Sequence, residues 1–333
     1  MSPFDIIAIT LPISLLMALG AVSVWRGWFP AEAIPGFGKF VRNMALPSAV
    51  FLAVSQRDFS EIIHPGFILA FGGASLFSLC LSLLVARRVL RQPLSLAGIV
   101  GLAGGVSNAL MIGLPLVVAL YGVDAMAAIA QQLIVETAFL IPLGLLIADF
   151  GQRREMPGGT EPGALLGVLL RTFWGVLTNP LIVALGLGLV VSVLGLSLPG
   201  ALVRSVELLA ASVGGMALFF IGVTLFGVDL RAEVRGVLPA IGIKAVLHPL
   251  VMALSFWLVL LGWKAAGWMP VPAVMANCSV IIATLPSIGI LPAIAARYGH
   301  ERTISLALLV MTVISVLTTP LTIWLLLTFE PFV

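Results

Sequence analysis

Charge is what this sequence has least of. Fourteen Asp and Glu and seventeen Lys and Arg are spread over 333 residues, 9% charged against 61% hydrophobic. A soluble domain carries about 25% charged residues, so a water-soluble core cannot take up this much apolar surface and lipid must solvate most of it. The chain also has two cysteines, Cys80 and Cys278, both inside apolar runs and without ligand spacing. They read as buried, inert thiols and not as a disulfide or a metal pair. Histidine is scarce: His64, His248 and His300, with no His-Glu-x-x-His. Paired aspartates of the kind that hold magnesium on a lipid phosphate are missing. Ser107, in Gly105-Val-Ser-Asn-Ala, fails the G-x-S-x-G pattern at its last glycine. These absences argue against an intramembrane enzyme, and nothing calls for a cofactor or a metal. The net charge of +3 reflects where the arginines sit and does not point to nucleic acid.

What the chain does have is long charge-free stretches. Pro93–Val123, Thr172–Val203, Ala265–Ala296 and Thr303–Phe329 each exceed the roughly 20 apolar residues that a helix needs to span a bilayer. Apolar runs between charges and turn residues predict ten spans, near 5–25, 38–55, 66–86, 94–120, 125–148, 179–197, 206–227, 237–262, 270–296 and 303–328. The first reads as a retained helix, since no small-residue cleavage site follows it. Gly163–Thr178, with Arg171, reads as an interfacial helix leading into Asn179-Pro180, because proline suits a helix's first turn.

Ten spans put both termini on one side, and the basic residues decide which. Arg26, Lys39, Arg42, Arg87, Arg88, Arg91, Arg153, Arg154, Arg171, Arg231, Arg235, Arg297 and Arg302 follow odd-numbered spans. Only Arg57, Arg204 and Lys264 follow even-numbered ones, and Lys244 lies inside a span. Basic residues favour the cytoplasmic side, so both termini are expected outside the cytoplasm and the 151–162 loop inside.

An internal repeat is the most informative pattern. Pro115, Ala119, Tyr121, Gly122 and Asp124 recur, at one offset, as Pro292, Ala296, Tyr298, Gly299 and Glu301, and the chain's two tyrosines both fall in it. The copies lie in spans four and nine, so the unit is five spans and the second copy enters the membrane from the opposite side. Inverted repeats of this kind occur in secondary transporters, whose sites lie near the midplane at matching Gly/Pro-interrupted spans. The tyrosines read as interface anchors, the glycines as left-handed helix caps and the acids as first-turn residues. Pro115 and Pro292 read as the breaks of two discontinuous helices, because proline removes a backbone donor.

The stretch Ser107-Asn108 through Gly113, Pro115 and Tyr121-Gly122 resembles the auxin efflux carrier family. So do Leu285-Pro286-Ser287 through Pro292 and Tyr298-Gly299, the Thr319-Pro320 end of the last span, and Asn179-Pro180. The resemblance runs through nearly the whole chain, with the short central loop of bacterial members. It implies an all-α integral membrane carrier of ten helices in a 5+5 inverted repeat, with discontinuous helices four and nine crossing. The repeats would cover 1–150 and 179–333, separated by 151–178. It further implies a scaffold of spans one, two, six and seven, a moving domain of spans three to five and eight to ten, and a homodimer. The cargo would be a small carboxylate, and the bilayer that of the bacterial inner membrane. Elevator transport is then expected, with an ion-coupled symporter of another solute, a channel and a sensor as alternatives.

The implied site is the crossover: Asn108, Gly113, Pro115, Asn277, Pro286, Ser287 and Pro292. Asn108 has an amide that can donate to a carboxylate, and equally one that can bond a neighbouring helix. Lys244 and Glu136 each cost a few kcal/mol facing lipid, so both should face the bundle interior. Either Lys244 complements an anion and Glu136 carries a proton, or the two form a structural buried pair. His248-Pro249, one turn beyond Lys244, reads as a kink with a satisfied histidine, with a second titrating group as the alternative.

Overall fold

Residues 3–56, 64–155, 174, 177–225 and 237–332 are described by a computed structural model, and every regular element among them is helical. Most of the expected interfacial helix, and Arg57, Arg171, Arg231 and Arg235 of the basic residues that set the orientation, lie outside these residues. Six helical stretches are long and apolar enough to cross a membrane: Pro65–Val89, Leu94–Tyr121, Ala125–Glu155, Gly200–Thr224, Leu238–Ala265 and Glu301–Phe329. Leu15–Trp25, Pro180–Leu194 and Ala273–Ala283 are shorter apolar helices.

In chain order the helices are α1 (Pro3–Trp25), α2 (Ile34–Phe40), α3 (Leu46–Ser55), α4 (Pro65–Leu84), α5 (Leu94–Gly105), α6 (Leu114–Tyr121), α7 (Ala125–Val135) and α8 (Ile141–Glu155). There follow α9 (Pro180–Leu194), α10 (Gly200–Leu225), α11 (Leu238–Gly242), α12 (His248–Ala265), α13 (Ala273–Ala283), α14 (Leu291–Ala296) and α15 (Glu301–Phe329). Helix ends obey the local rules. Asn179 caps α9 by accepting from the Leu181 N–H at 2.9 Å, Pro180 opens its first turn, and Gly195 closes it at φ +58°.

Single π-turns join several pairs into continuous rods: Val41–Ala45 between α2 and α3, Glu136–Leu140 between α7 and α8, and Ile243–Leu247 between α11 and α12. A π-turn inserts an extra residue, re-aims the side chains beyond it and is common at functional sites. Two of these three hold the chain's intramembrane charges, Glu136 and Lys244.

The helices pack in two groups. In one, α1 lies on α10, and α3 lies on both α9 and α10. In the other, α5 packs between α4 and α8, α12 on α4, and α13 on α7, α12 and α15. The rod containing α5 is the centre: 83% of its apolar window is buried against protein, against 28–39% for the other five long helices. Their outward faces carry bare Leu, Val and Trp, such as Leu254, Trp257 and Leu317, as lipid-facing surface must.

Backbone approach sets the first group. A Cβ at Gly222 would lie 1.8 Å from the Met17 carbonyl oxygen, and one at Gly20 2.2 Å from that of Phe219. Small residues let membrane helices pack this closely. Gly222→Val should therefore force α1 off α10, costing at least the about 1–3 kcal/mol of overpacking. Its expected signature is loss of the monodisperse peak in size-exclusion chromatography. Gly215→Ala on the same helix, where a Cβ meets nothing within 4 Å, should keep that peak.

Three expectations are corrected. The break in the fourth span falls at residues 106–108, before the π-turn Ala109–Gly113, and not at Pro115. Pro115 instead lies inside the helical run that starts at Ala109, just after the π-turn whose extra residue accommodates its missing N–H, and Pro292 sits in the first turn of α14, where no helical partner is lost. In the ninth span the break runs from Thr284 to Ile290 and contains Pro286. The tyrosines are not interface anchors: Tyr298 is buried and its hydroxyl donates to Asp149 at 2.5 Å, and the Tyr121 hydroxyl is buried too. Gly122 and Gly299 do take positive φ, +63° and +78°.

Candidate functional site

The two breaks meet. Val106 leaves α5 extended, at φ −115° and ψ 143°, and the freed Asn108 N–H donates to the Pro286 carbonyl at 2.9 Å. One broken segment thus satisfies part of the other's backbone, which a bilayer requires of any irregular stretch. Gly113 fits the contact because a side chain there would press within 3.1 Å of Ile282 and 3.4 Å of Leu285, just ahead of the second break.

Asn108 caps the outgoing half of the fourth span. Its Oδ1 accepts from the Met111 N–H at 3.2 Å. That leaves the amide Nδ2, which lies 3.5 Å from where a side chain on Gly289 would begin. Ser287, in the second break, is fully buried and its hydroxyl has no hydrogen-bond partner among the described residues.

Behind the first break lies a charged cluster assembled from three rods. Lys244 Nζ donates to Ser107 Oγ at 2.5 Å, while Ser107 N donates to Glu136 Oε1 at 3.2 Å. Gln132 Nε2 donates to the same carboxylate oxygen at 3.0 Å. Lys244 is 1% exposed and Glu136 3%, so each charge depends on these partners. The two charges meet through Ser107 and not directly. The break after α5 is therefore braced at Ser107 by an ammonium on its hydroxyl and by a carboxylate on its N–H.

His248 completes the cluster and is not merely a kink. Its Nδ1 lies 3.1 Å from Lys244 Nζ and 3.0 Å from the Gly104 carbonyl. One ring nitrogen cannot accept from the ammonium and donate to the carbonyl at once, so the two contacts belong to different tautomers. Its Nε2 is buried without a hydrogen-bond partner among the described residues.

The remaining expected residues lie apart. Asn277 sits in α13 beside Tyr121, its side chain within reach of the buried Tyr121 hydroxyl. Pro115 and Pro292 face two different cavities. Pro115 lines one of about 350 Å³ with Ala49 and Leu52 of α3, Leu114 and Val118 of α6, and Glu207 and Gly214 of α10. Pro292 lines another of about 450 Å³ with Gly38, Lys39 and Arg42, Met111, Gly289, Phe220 and Glu301. Both cavities run along the same seam between the two helix groups, at different heights on the rod α2–α3 and on α10. The first is almost entirely apolar and the second carries charge.

Sequence reasoning did not single out Ser107, Gln132 or His248 as partners of the charges. Gln132 four residues before Glu136 was a readable signal, since that spacing shares a helix face. His248, four residues after Lys244, was readable in the same way, whereas Ser107 was not, because Lys244 lies 137 residues from it.

The family model described as membrane transport protein matches residues 5–323. A Rhizobium meliloti (strain 1021) protein described as "Putative malonate transporter" is 28% identical over 322 residues, covering 94% of this chain and 93% of that protein. The Escherichia coli (strain K12) "Uncharacterized transporter YfdV" is 24% identical over 219 residues, 65% of this chain and 67% of the other. The Mus musculus "Lysosomal cholesterol signaling protein" is 28% identical over 199 residues, 58% of this chain but 22% of that longer protein.

Proposed function

The chain belongs to the membrane transport protein family, and we propose that it is an elevator-type secondary carrier of a small organic anion, with its site at the crossing of the two broken helices. It is a multi-pass membrane transporter and not an enzyme. The observation that carries the finer reading is the pair of cavities on one seam. They share the rod α2–α3 and α10 on one wall and carry one repeated proline each on the other. Sliding one helix group along the other would pass the crossing from one cavity to the other, which is alternating access.

On this reading α1, the rod α2–α3, α9 and α10 are the scaffold, and the remaining helices move. The full count of ten spans, the 5+5 inverted repeat, the homodimer, the bacterial inner membrane and the non-cytoplasmic termini belong to the same proposal. Asn108 supplies the amide donor to the carboxylate. Gly113 and Pro286 hold the crossing, Ser287 lends a hydroxyl, and Pro115 and Pro292 shape the two approaches. Lys244 stabilises the negative charge through Ser107 and Glu136 is the candidate for coupling; Asn277 is a more remote member. That a relative is described as a malonate transporter supports a short carboxylate as cargo.

The test is uptake of mono- and dicarboxylates into proteoliposomes, with and without pH, sodium and potential gradients. Saturable uptake and counterflow of a short carboxylate are expected. Flux that rises without saturation would make the protein a channel, and no flux of any carboxylate would sink the substrate class.

A further inference from the structure

The larger cavity contains more than the crossing needs. Lys39 and Arg42 enter it from α2 and the following π-turn, opposite Met111, Gly289 and Pro292. Neither cation forms an ion pair with a described residue; the Arg42 Nε donates to Asn43 Oδ1 at 3.1 Å. Among the described residues the one acidic side chain lining the cavity is Glu301, at the start of α15, so their balance is positive. The cavity also reaches the site: Gly289 is part of its wall, and the Asn108 Nδ2 lies beside that glycine.

The cations are held on the wall that does not carry Asn108. Phe37 packs edge-on against Phe219 and Phe220 of α10, with ring centroids 5.9 Å apart in both pairs. Gly38 lies against the Phe220 ring so closely that an added Cβ would fall 2.5 Å from it. Their backbone is thus fastened to α10, while Asn108 belongs to the other helix group.

We propose that Lys39 and Arg42 bind the second carboxylate of a dicarboxylate whose first carboxylate sits at Asn108, making them the residues that select a dianion over a monoanion. This rests on the reading of the crossing as the substrate site. A dianion bridges the two helix groups only when the site faces this cavity, because the cations stay with the scaffold. Selectivity therefore arises on one face of the membrane, and moving the crossing along the seam breaks the second contact.

The experiment compares wild type with Lys39→Gln/Arg42→Gln in proteoliposomes. The probes are malonate and its monomethyl ester, offered separately from each face. Both cations are exposed, so the variant should fold, and its size-exclusion profile checks that. The expected result is a KM for malonate raised about tenfold, as for loss of a pair of recognition charges, from the Lys39 face alone. The monoester KM should move less than about twofold, the range of screened surface charge. Equal shifts for both probes, or shifts from both faces, overturn the proposal by making the cations a general attractor. An unchanged malonate KM overturns it while leaving the crossing intact, provided that Asn108→Ala still impairs both probes. If wild type carries neither probe, both readings fall. Vesicles with and without phosphatidylglycerol separate the remaining source of anions: a selectivity that appears only with the anionic lipid assigns the cations to lipid headgroups and overturns the proposal.

Discussion

Lys244→Met is expected to lower carboxylate uptake by about a hundredfold or more, equivalent to ~2.7 kcal/mol or more of lost transition-state stabilisation, and to destabilise the fold. The ammonium is buried on Ser107 Oγ, and the same serine's N–H bonds Glu136. Removing one partner of a buried charge pair leaves the other uncompensated, which costs about 3–5 kcal/mol. Glu136 would keep only the Ser107 N–H and the Gln132 amide. The instability is therefore a property of the orphaned carboxylate, and Lys244→Met/Glu136→Gln should recover most of the thermal stability in detergent. The double variant should still fail to transport, because the charge at the crossing is gone. Transport by the double variant at the wild-type KM would make the pair structural, the other reading left open by the sequence.

Asn108 gives the second large effect, and here two substitutions divide capping from recognition. Asn108→Ala removes the Oδ1 that accepts from Met111, worth about 1 kcal/mol for an N-cap, together with the amide donor. Asn108→Asp keeps an oxygen for the cap and replaces the donor with a negative charge facing Gly289. The alanine variant should raise the KM for the carboxylate about tenfold, since a charge-assisted hydrogen bond contributes about 1.5–3 kcal/mol. The aspartate variant should be as stable as wild type in a melting assay and yet transport less than the alanine variant. Wild-type kinetics in the aspartate variant would remove Asn108 from the substrate site.

The particular places where the sequence was legible are instructive. Asn179-Pro180 announced the start of α9 and Gly122 and Gly299 announced positive φ, because caps and turns depend on a few adjacent residues. The breaks were legible as a pair but not in position. Pro115 looked like the interruption since proline cannot donate within a helix, yet the helix runs through it, because the π-turn Ala109–Gly113 just ahead of it absorbs the missing donor. The real interruption at residues 106–108 contains no proline, and it survives because Pro286 accepts from Asn108 across the crossing. The tyrosines misled for a related reason. An amphipathic ring satisfies its hydroxyl either at the lipid–water boundary or on a buried partner, and Asp149, 149 residues away from Tyr298, is such a partner.

Taken alone, the sequence determined the solvent and the helical class, and pointed to a paired centre. Those properties follow from local composition: too little charge for water, apolar runs of spanning length, and a repeated string of turn-forming residues. Only the tertiary structure decided what the few polar groups do. It placed Lys244 and Glu136 on opposite sides of one serine, brought Pro286 to Asn108, and turned Lys39 and Arg42 into the wall of a cavity. The physical reason is distance along the chain. In a bilayer each buried polar group must find its partner inside the protein, and here those partners come from other spans, in an arrangement that only packing specifies.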